Sequence, residues 1–537
     1  ALFADQGGID AGAAYTFERG PSGTWLETQK LGAVGGAPED QFGYSVSISG
    51  DYAIVGTWQD DDNGTNSGSA SIFERDASGR WIEVQKLLAS DGEAGDQFGH
   101  SVAIDGGRAI VGARLEDAGG TDAGAAYIFE RDPSGIWQEV QKLTASDAQA
   151  GDWFGMSVDI SSSLAIVGSI YEDAGGGNAG AAYVFDLGAT WVQVAKLTAN
   201  DAQAGDQFGH AVSIDRGRSL AVVGAYTEDA GGTDAGAAYV FGGLSGWAQL
   251  AKLTANDAQA GDWFGWSVAV RATSVVVGSR YEDAGGTDAG AVYQFSGSWF
   301  LGGVWTQNAK LTASDAQAGD EFGISVDLEV VGPDRIVVGA LFEDFGATNT
   351  GAAYVFEPVS GGFVQADKLV ASDASASDRF GRSVAVSGDQ VFVGAFAEDA
   401  GSLNAGAVYV YQIGPIIWTG AVSNDWSAGG NWSTGSVPNS THDVIIPSSP
   451  SGPHFPVVDF DLTVGDLTIE PGATLDIEPG HALIIAADDT IRAFGTVTLR
   501  SDSTGTAMLD DFTNNDAGYD GDITVEVYVT GGLTGQN

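Results

Sequence analysis

The sequence predicts an all-β protein: a seven-bladed β-propeller of four-stranded blades over residues 1–412, then a small β-solenoid or β-sandwich domain over residues 413–537. Three observations carry this expectation. A Phe-Gly pair recurs at Phe42, Phe98, Phe154, Phe208, Phe264, Phe322 and Phe380, at intervals of 56, 56, 54, 56, 58 and 58 residues. Repeats of that period build solenoids, propellers or arrays, in which each unit buries its apolar face only against its neighbours. Each repeat contains four short apolar segments joined by Gly- and Asp-rich turns, without helical periodicity, which is the pattern of a propeller blade. After Tyr411 the repeat stops, lysine disappears and prolines cluster.

The second unit shows the elements in order. Lys86-Leu87 opens a polar stretch ending in Gly95-Asp96-Gln97-Phe98-Gly99. Ser101-Val102-Ala103-Ile104 reads as a short alternating strand, and Asp105-Gly106-Gly107 as a turn. Ala109-Ile110-Val111-Gly112-Ala113 is a continuous apolar run, typical of a buried strand. A loop of turn formers follows, Glu116-Asp117-Ala118-Gly119-Gly120-Thr121-Asp122. Gly124 to Phe129 gives the third strand and Trp137 to Leu143 the fourth.

Each recurrent residue has a structural task. The Phe is a large apolar anchor between adjacent blades. The glycines let backbones approach closely or take positive φ. The aromatic opening the fourth strand (Trp25, Trp81, Trp137, Trp191, Trp247, Trp305, then Phe363) is read as blade packing rather than a ligand-stacking ring. Five residues after it stands one of the only seven lysines: Lys30, Lys86, Lys142, Lys196, Lys252, Lys310 and Lys368. In so acidic a chain, a single cation per blade is expected to pair with a repeat carboxylate, such as Asp96 or Asp117 in the second unit. The alternative is a solvated lysine that deters edge pairing.

Phe-Gly-x-Ser-Val, Val-Gly-Ala and Gly-Ala-Ala-Tyr-Val-Phe together resemble FG-GAP repeats. They are similar to blades of the integrin α-chain head and, with Lys-Leu-Thr-Ala-Ser-Asp leading into Gly-Asp-x-Phe-Gly, to the bacterial FG-GAP type. The resemblance covers roughly residues 1–412 and implies a seven-bladed propeller, usually on extracellular proteins that bind other proteins or glycans. Many FG-GAP blades carry an Asp-x-Asp-x-Asp-Gly calcium loop, and no blade here has it intact.

The nearest stretch offers Asp60, Asp62 and Asn66 as alternate oxygens for a hard cation. Elsewhere the loop supplies Glu116, Asp117 and Asp122, or Glu282, Asp283 and Asp288; calcium, or turn carboxylates capping their own backbone, would explain the same letters. The Gly-Ala-Ala-Tyr strand occurs eight times, including residues 12–17, where seven would suffice. Ring closure by one terminal copy is the simplest use, and strand donation to another molecule is the bolder one. The chain also opens mid-repeat: Ala1-Leu2-Phe3-Ala4-Asp5 reads like Ala340-Leu341-Phe342-Glu343-Asp344, so an upstream segment is expected to have been removed or omitted.

Ile417-Trp418-Thr419-Gly420, Asp425-Trp426, Asn431-Trp432-Ser433 and Asp443-Val444-Ile445-Ile446-Pro447 resemble a segment of large Bacteroidota surface proteins that often precedes a type IX secretion sorting domain. No sorting domain is recognisable, so a longer precursor is expected. Short alternating strands follow, from Leu467-Thr468-Ile469 to Thr496-Val497-Thr498-Leu499. Trp418, Trp426 and Trp432 either stack on sugars or cap the core, and capping is preferred. Asp510, Asp511, Asn515, Asp516, Asp520 and Asp522 form another candidate calcium cluster, Asp516 and Asp520 among its metal ligands.

Bulk composition narrows the partners. Lys+Arg number 22 against 72 Asp+Glu, a net charge of −50, which repels nucleic acid and anionic lipid. Such a surface suits a salty or calcium-containing medium. With no cysteine, disulfides and thiolate metal sites are excluded, and no apolar run approaches the roughly 18 residues of a membrane span. The five histidines lack metal-ligand spacing. His100 and His210 share the slot after Phe-Gly with Tyr44, Met156, Trp266, Ile324 and Arg382, a variable position expected to face a channel. No nucleophile motif or phosphate loop stands out, and carboxylates repeated in every blade read as scaffold. The expectation is therefore a secreted cell-surface binding or adhesion protein, not an enzyme, recognising protein or glycan through propeller loops. Its rival is the self-associating subunit of an extracellular filament or layer, and a glycan-active propeller enzyme comes third.

Overall fold

In the computed structural model the described residues are 25–411, except 77–79, 216, 299–303, 330–334, 360–361, 389, 399–403 and 405, and most of 416–500 with strands Met508–Asp511 and Asp520–Val525. The chain divides into two compact units, one carrying Glu27–Tyr411 and the other Gln412–Asn537.

The first unit is a seven-bladed β-propeller, every blade a four-stranded antiparallel sheet. In the blade of the second repeat, the strands run Phe98–Asp105, Arg108–Ala113, Ala125–Arg131 and Trp137–Leu143 from the central channel outward. The Phe-Gly strands pack side by side around the ring and line the channel. Leu26–Leu31 closes the circle as the outer strand of the sheet formed by Phe380–Ser387, Gln390–Ala395 and Ala407–Gln412. Closure thus pairs the Trp-to-Leu segment with the C-terminal Gly-Ala-Ala-Tyr copy, Ala407–Gln412, as expected of one terminal copy. The extra copy at residues 12–17 and the mid-repeat opening lie outside the described residues.

Apolar burial makes the blades stack. Ala109, Ile110 and Val111 of the second strand are fully buried, as a strand covered on both faces should be. Phe98 meets Tyr127 and Phe129 edge-on, with ring centroids 5.4 and 6.0 Å apart, and packs in one cluster with Ile54 and Ile72 of the preceding blade. Glycine is required at this seam. Gly68 pairs with Phe98 across the blade boundary, and a Cβ on Gly68 would lie 1.9 Å from the Phe98 carbonyl oxygen. Gly99, at φ +87°, would place a Cβ 2.1 Å from the Ser69 carbonyl. The outer strands are tied as well: Gln85 Nε2 donates to the Trp137 carbonyl (2.8 Å) while Oε1 accepts from the Trp137 N–H (2.9 Å). Trp25, Trp81, Trp137 and Trp191 are buried, and Trp247, Trp305 and Phe363 pack partly buried against their cores, so this ring serves packing.

The second unit is a parallel coil with three faces. Val444–Ile446, Leu467–Ile469 and the start of Ile491–Leu499 align on one face, in the register Val444, Leu467, Ile491. Val457–Val458, Thr474–Ile477 and the end of Ile491–Leu499 form the second, and Leu462–Val464, Ala482–Ile485 and Met508–Asp511 the third. Parallel pairing of consecutive rungs makes this a β-solenoid; a sandwich would be built from antiparallel pairs. Trp418, Trp426 and Trp432 are buried in its core, with Trp432 4.8 Å from Trp418 and 4.6 Å from Trp426 between ring centroids. They cap the coil and offer no face to a sugar. The side chains of the Asp510 to Asp522 cluster, Asp516 and Asp520 included, lie outside the described residues.

Candidate functional site

The channel has two ends built from the same seven strands. At one end lie the hairpins joining first and second strands; at the other, the loops that precede Phe-Gly and follow Val-Gly-Ala.

The hairpin end holds a polar cavity of about 670 Å³. Its carboxylates are occupied by neighbouring backbone. Asp159 accepts hydrogen bonds from the Ile214 N–H (2.7 Å) and the Ser213 hydroxyl (3.1 Å) of the next blade. Asp327 accepts from the Val386 N–H (2.8 Å), and Asp215 from the Ala272 N–H (2.6 Å). Burial lifts the Asp327 carboxyl to about 6 and raises Asp159, while the Arg271 guanidinium among them opposes both shifts. These groups stitch blade to blade.

At the Phe-Gly end, the lysines bind the loop carboxylates. Lys142 Nζ bridges Asp91 (2.8 Å) and Glu116 (2.7 Å), and lies 5.3 Å from the Tyr127 ring centre, whose hydroxyl also donates to Asp91. The same clamp recurs at Lys30, Lys196, Lys252, Lys310 and Lys368, and Lys86 bridges Asp60 and Asp62. Burial alone would lower the Lys142 pKa, but hydrogen bonds and charge from Asp91 and Glu116 outweigh it and hold the ammonium above its ordinary value. Pairing was expected; its partners were not. Asp96 instead accepts from the Glu93 N–H (2.7 Å), and Asp117 from the Asp122 N–H (2.8 Å).

The candidate calcium ligands lie in these same loops. Asp60, Asp62 and Glu116 each pair with a lysine ammonium. Asn66 donates its N–H to Asp61, and Asp288 its N–H to Asp283 (2.9 Å), as Asp122 does to Asp117. Among the described residues no three or more His, Cys, Asp or Glu side chains are grouped as metal ligands. In these loops, then, Asp60, Asp62 and Glu116 are neutralised by lysine and Asp117 and Asp283 cap the loop, while Asp122 and Asp288 contribute their backbone N–H.

Inside the clamp ring lies the mouth of the channel, a pocket of about 310 Å³. Tyr44, His100, Met156, His210, Trp266, Ile324 and Arg382, the slot after Phe-Gly, all line it. Two further variable slots stand beside this one, and from them Arg114 also lines the pocket. One precedes Phe-Gly and takes left-handed backbone in every blade, as at Gln97 (φ +58°), Trp153 (+55°), Trp263 (+55°) and Arg379 (+57°). The other follows Val-Gly-Ala or its equivalent and supplies Trp58, Arg114, Tyr226, Arg280 and Phe396. Strand pairing brings the slots together: Phe98 opposite Ala113 sets Arg114 beside Gln97, whose Oε1 accepts from Arg114 Nε at 2.7 Å. Sequence reading found the first slot and missed the other two, although their variation among constant neighbours was the same signal.

The mouth is aromatic and cationic. Arg382 lies 4.3 Å from the Tyr44 ring centre, Arg114 4.8 Å from that of Trp153, and Arg280 4.2 Å from that of Trp266. Arg280 pairs with Glu321, whereas Arg114 and Arg382 have no carboxylate partner among the described residues. Burial alone would push the Tyr44 phenol up, yet the charges of Arg382, Arg114 and Arg280 bring it below its ordinary value. Both histidines are neutral. Burial drives His210 down to about 3 and His100 well below its usual range. His100 Nδ1 contacts the Met156 carbonyl (3.3 Å) and His210 Nδ1 the Trp266 carbonyl (3.0 Å), so each neutral ring carries its proton there and leaves Nε2 as an acceptor.

A family model for the FG-GAP repeat matches residues 25–73, 81–129, 137–185, 191–241, 247–295, 305–356 and 363–411, together more than half of the chain. A domain of unknown function, DUF8693, matches residues 417–523. No curated protein matches the chain.

Proposed function

The chain belongs to the FG-GAP repeat family, and from that premise we propose that it is a secreted, cell-surface binding or adhesion protein whose propeller recognises protein or glycan at the Phe-Gly mouth. One observation carries the reading: in blades that otherwise repeat the same residues, six different side-chain types occupy the seven copies of the slot after Phe-Gly, and all seven residues line one pocket. Aromatic and arginine side chains dominate such recognition surfaces. The hairpin end lacks this character, because its carboxylates are engaged by backbone.

Repeats of this family are typical of extracellular proteins and commonly hold calcium. Here the nearest carboxylates serve the lysine clamps, so recognition is proposed to be independent of calcium and to involve no catalysis. Among the described residues no helix is long and apolar enough to cross a membrane. The filament reading rests on the extra copy at residues 12–17 and on the mid-repeat start and truncated-looking ends, and no described residue adds to it. Since the chain closes its own ring with Leu26–Leu31, it is expected to elute as a monomer in size exclusion.

An array of glycans and extracellular proteins, probed with the intact chain and with a Trp266→Ala/Arg382→Ala variant, tests the assignment. Capture by the parent and loss by the folded variant, with chelator irrelevant, supports it. Undiminished capture by the variant sinks it.

A further inference from the structure

The mouth carries a specific unmet chemistry. His100 is 5% exposed, lines the pocket, and its Nε2 has no hydrogen-bond partner. With Nδ1 donating to Met156, that atom is an acceptor in want of a donor. Behind the mouth, where Arg280 stacks on Trp266 and Arg379 on Phe396, their buried Nε groups also lack partners and are donors. Arg114 and Arg382 bring guanidinium charge to the same opening without a carboxylate. Ile324, Leu341 and Phe396 form an apolar cluster against which Tyr44 and Trp266 pack.

Resting on the functional reading above, we propose that this mouth binds a terminal hexuronate residue of an acidic glycan. The guanidinium groups match a carboxylate, for which their planar forks are suited. The His100 acceptor matches a sugar hydroxyl, a group that an aspartate or glutamate side chain does not offer. The aromatic rings match the flat C–H face of the sugar. A pocket of about 310 Å³ takes one or two sugar rings and not a long stretch of polymer, so the chain end is bound. The net charge of −50 does not forbid this, because beyond a Debye length of about 8 Å at physiological salt the acidic periphery is screened.

Calorimetric titration of the full chain with tetragalacturonic acid, neutral galactotetraose and tetraglutamate tests the proposal. The uronate is expected to bind at least about tenfold more tightly than either control, since charge-assisted hydrogen bonds are lost with the neutral sugar. The folded Arg114→Gln/Arg382→Gln variant is expected to lose about tenfold or more in uronate affinity. Should that variant fail to fold, Arg382→Lys, which keeps the charge but not the fork, should weaken uronate binding while leaving galactotetraose unchanged. Equal binding of galactotetraose, binding of tetraglutamate as tight as the uronate, or unaltered uronate affinity in a folded variant would overturn the inference. If the uronate fails to bind while the Trp266→Ala/Arg382→Ala variant still loses some other captured ligand, the hexuronate inference falls and the wider reading stands.

Discussion

The two ends of the channel are built from the same seven strands, yet they obey different rules. At the hairpin end, buried carboxylates such as Asp159 and Asp327 are satisfied by backbone N–H groups of the next blade. At the Phe-Gly end, His100, Arg280 and Arg379 keep buried polar atoms without partners in an aromatic setting. A buried polar group left unsatisfied costs about 1–3 kcal/mol. A fold that satisfies such groups at one end and not at the other concentrates stability at the first and recognition at the second. The comparison can be broken by substitutions that should act on one end alone.

The scaffold common to both ends should give the largest effect. Phe208 is fully buried between blades, and Phe208→Ala is expected to cost about 3–5 kcal/mol in chemical denaturation. A loss below 1 kcal/mol would mean that the blade seam is looser than drawn. Next come the clamps. Lys196 neutralises Glu172, which is almost wholly buried, and Asp147 at the surface. Breaking a buried pair costs about 3–5 kcal/mol, and the partial exposure of Lys196 reduces this to about 2 for Lys196→Met. No loss would show that the clamp is only a solvated edge. Asp159→Ala, which strands the Ile214 N–H, should cost a similar 1–3 kcal/mol without changing ligand affinity at the opposite mouth.

Acidification probes the two carboxylate populations together. Burial raises Asp40, Asp262 and Asp378 to about 6, against an ordinary value of 3.8. The folded chain therefore binds protons near pH 6 that the unfolded chain does not, and stability should rise as pH falls from 7.5 to 5. Asp91, Asp147 and Asp257 behave oppositely: burial would raise them, but hydrogen bonds and charge from Lys142, Lys196 and Lys310, with the tyrosine hydroxyls, hold them below 3.8. Their contribution is present above that value and is lost as pH falls through the lowered one. Calorimetric melting temperatures should peak between about pH 4 and 6. A monotonic fall from pH 7.5 to 5 would contradict the assignment.

How far these features could be read from the sequence depended on the range of the interaction. The Phe-Gly, Val-Gly-Ala and Gly-Ala-Ala-Tyr strands were legible because burial imposes the same letters seven times. The clamp was legible as a spacing of lysines, but not in its partners. Glu116 and Asp117 are adjacent, and only backbone direction decides that Glu116 meets Lys142 while Asp117 caps its own loop. Tryptophan capping of the solenoid was anticipated from position, whereas parallel pairing needed the register. The mouth was half visible: the slot of His100 stood out, but Arg114 lies outside that motif and joins it through the pairing of Phe98 with Ala113.

The smallest change in stability should expose the sharpest difference between the ends. Arg382 is half-buried at the mouth, contacts the Tyr44 ring and has no carboxylate to release. Arg382→Gln removes a charge from a cationic cluster, and the relief of repulsion with Arg114 and Arg280 offsets the lost ring contact. Its effect on folding should lie within about 0.5 kcal/mol, as for a surface position outside any network. The Tyr44 phenol should then titrate at higher pH, because the first of the charges that lower it has gone. Ultraviolet titration of the tyrosines reads that shift directly. If folding suffered as much as in Asp159→Ala, the Phe-Gly mouth would be scaffold like the hairpin end, and the division of labour along the channel would not hold.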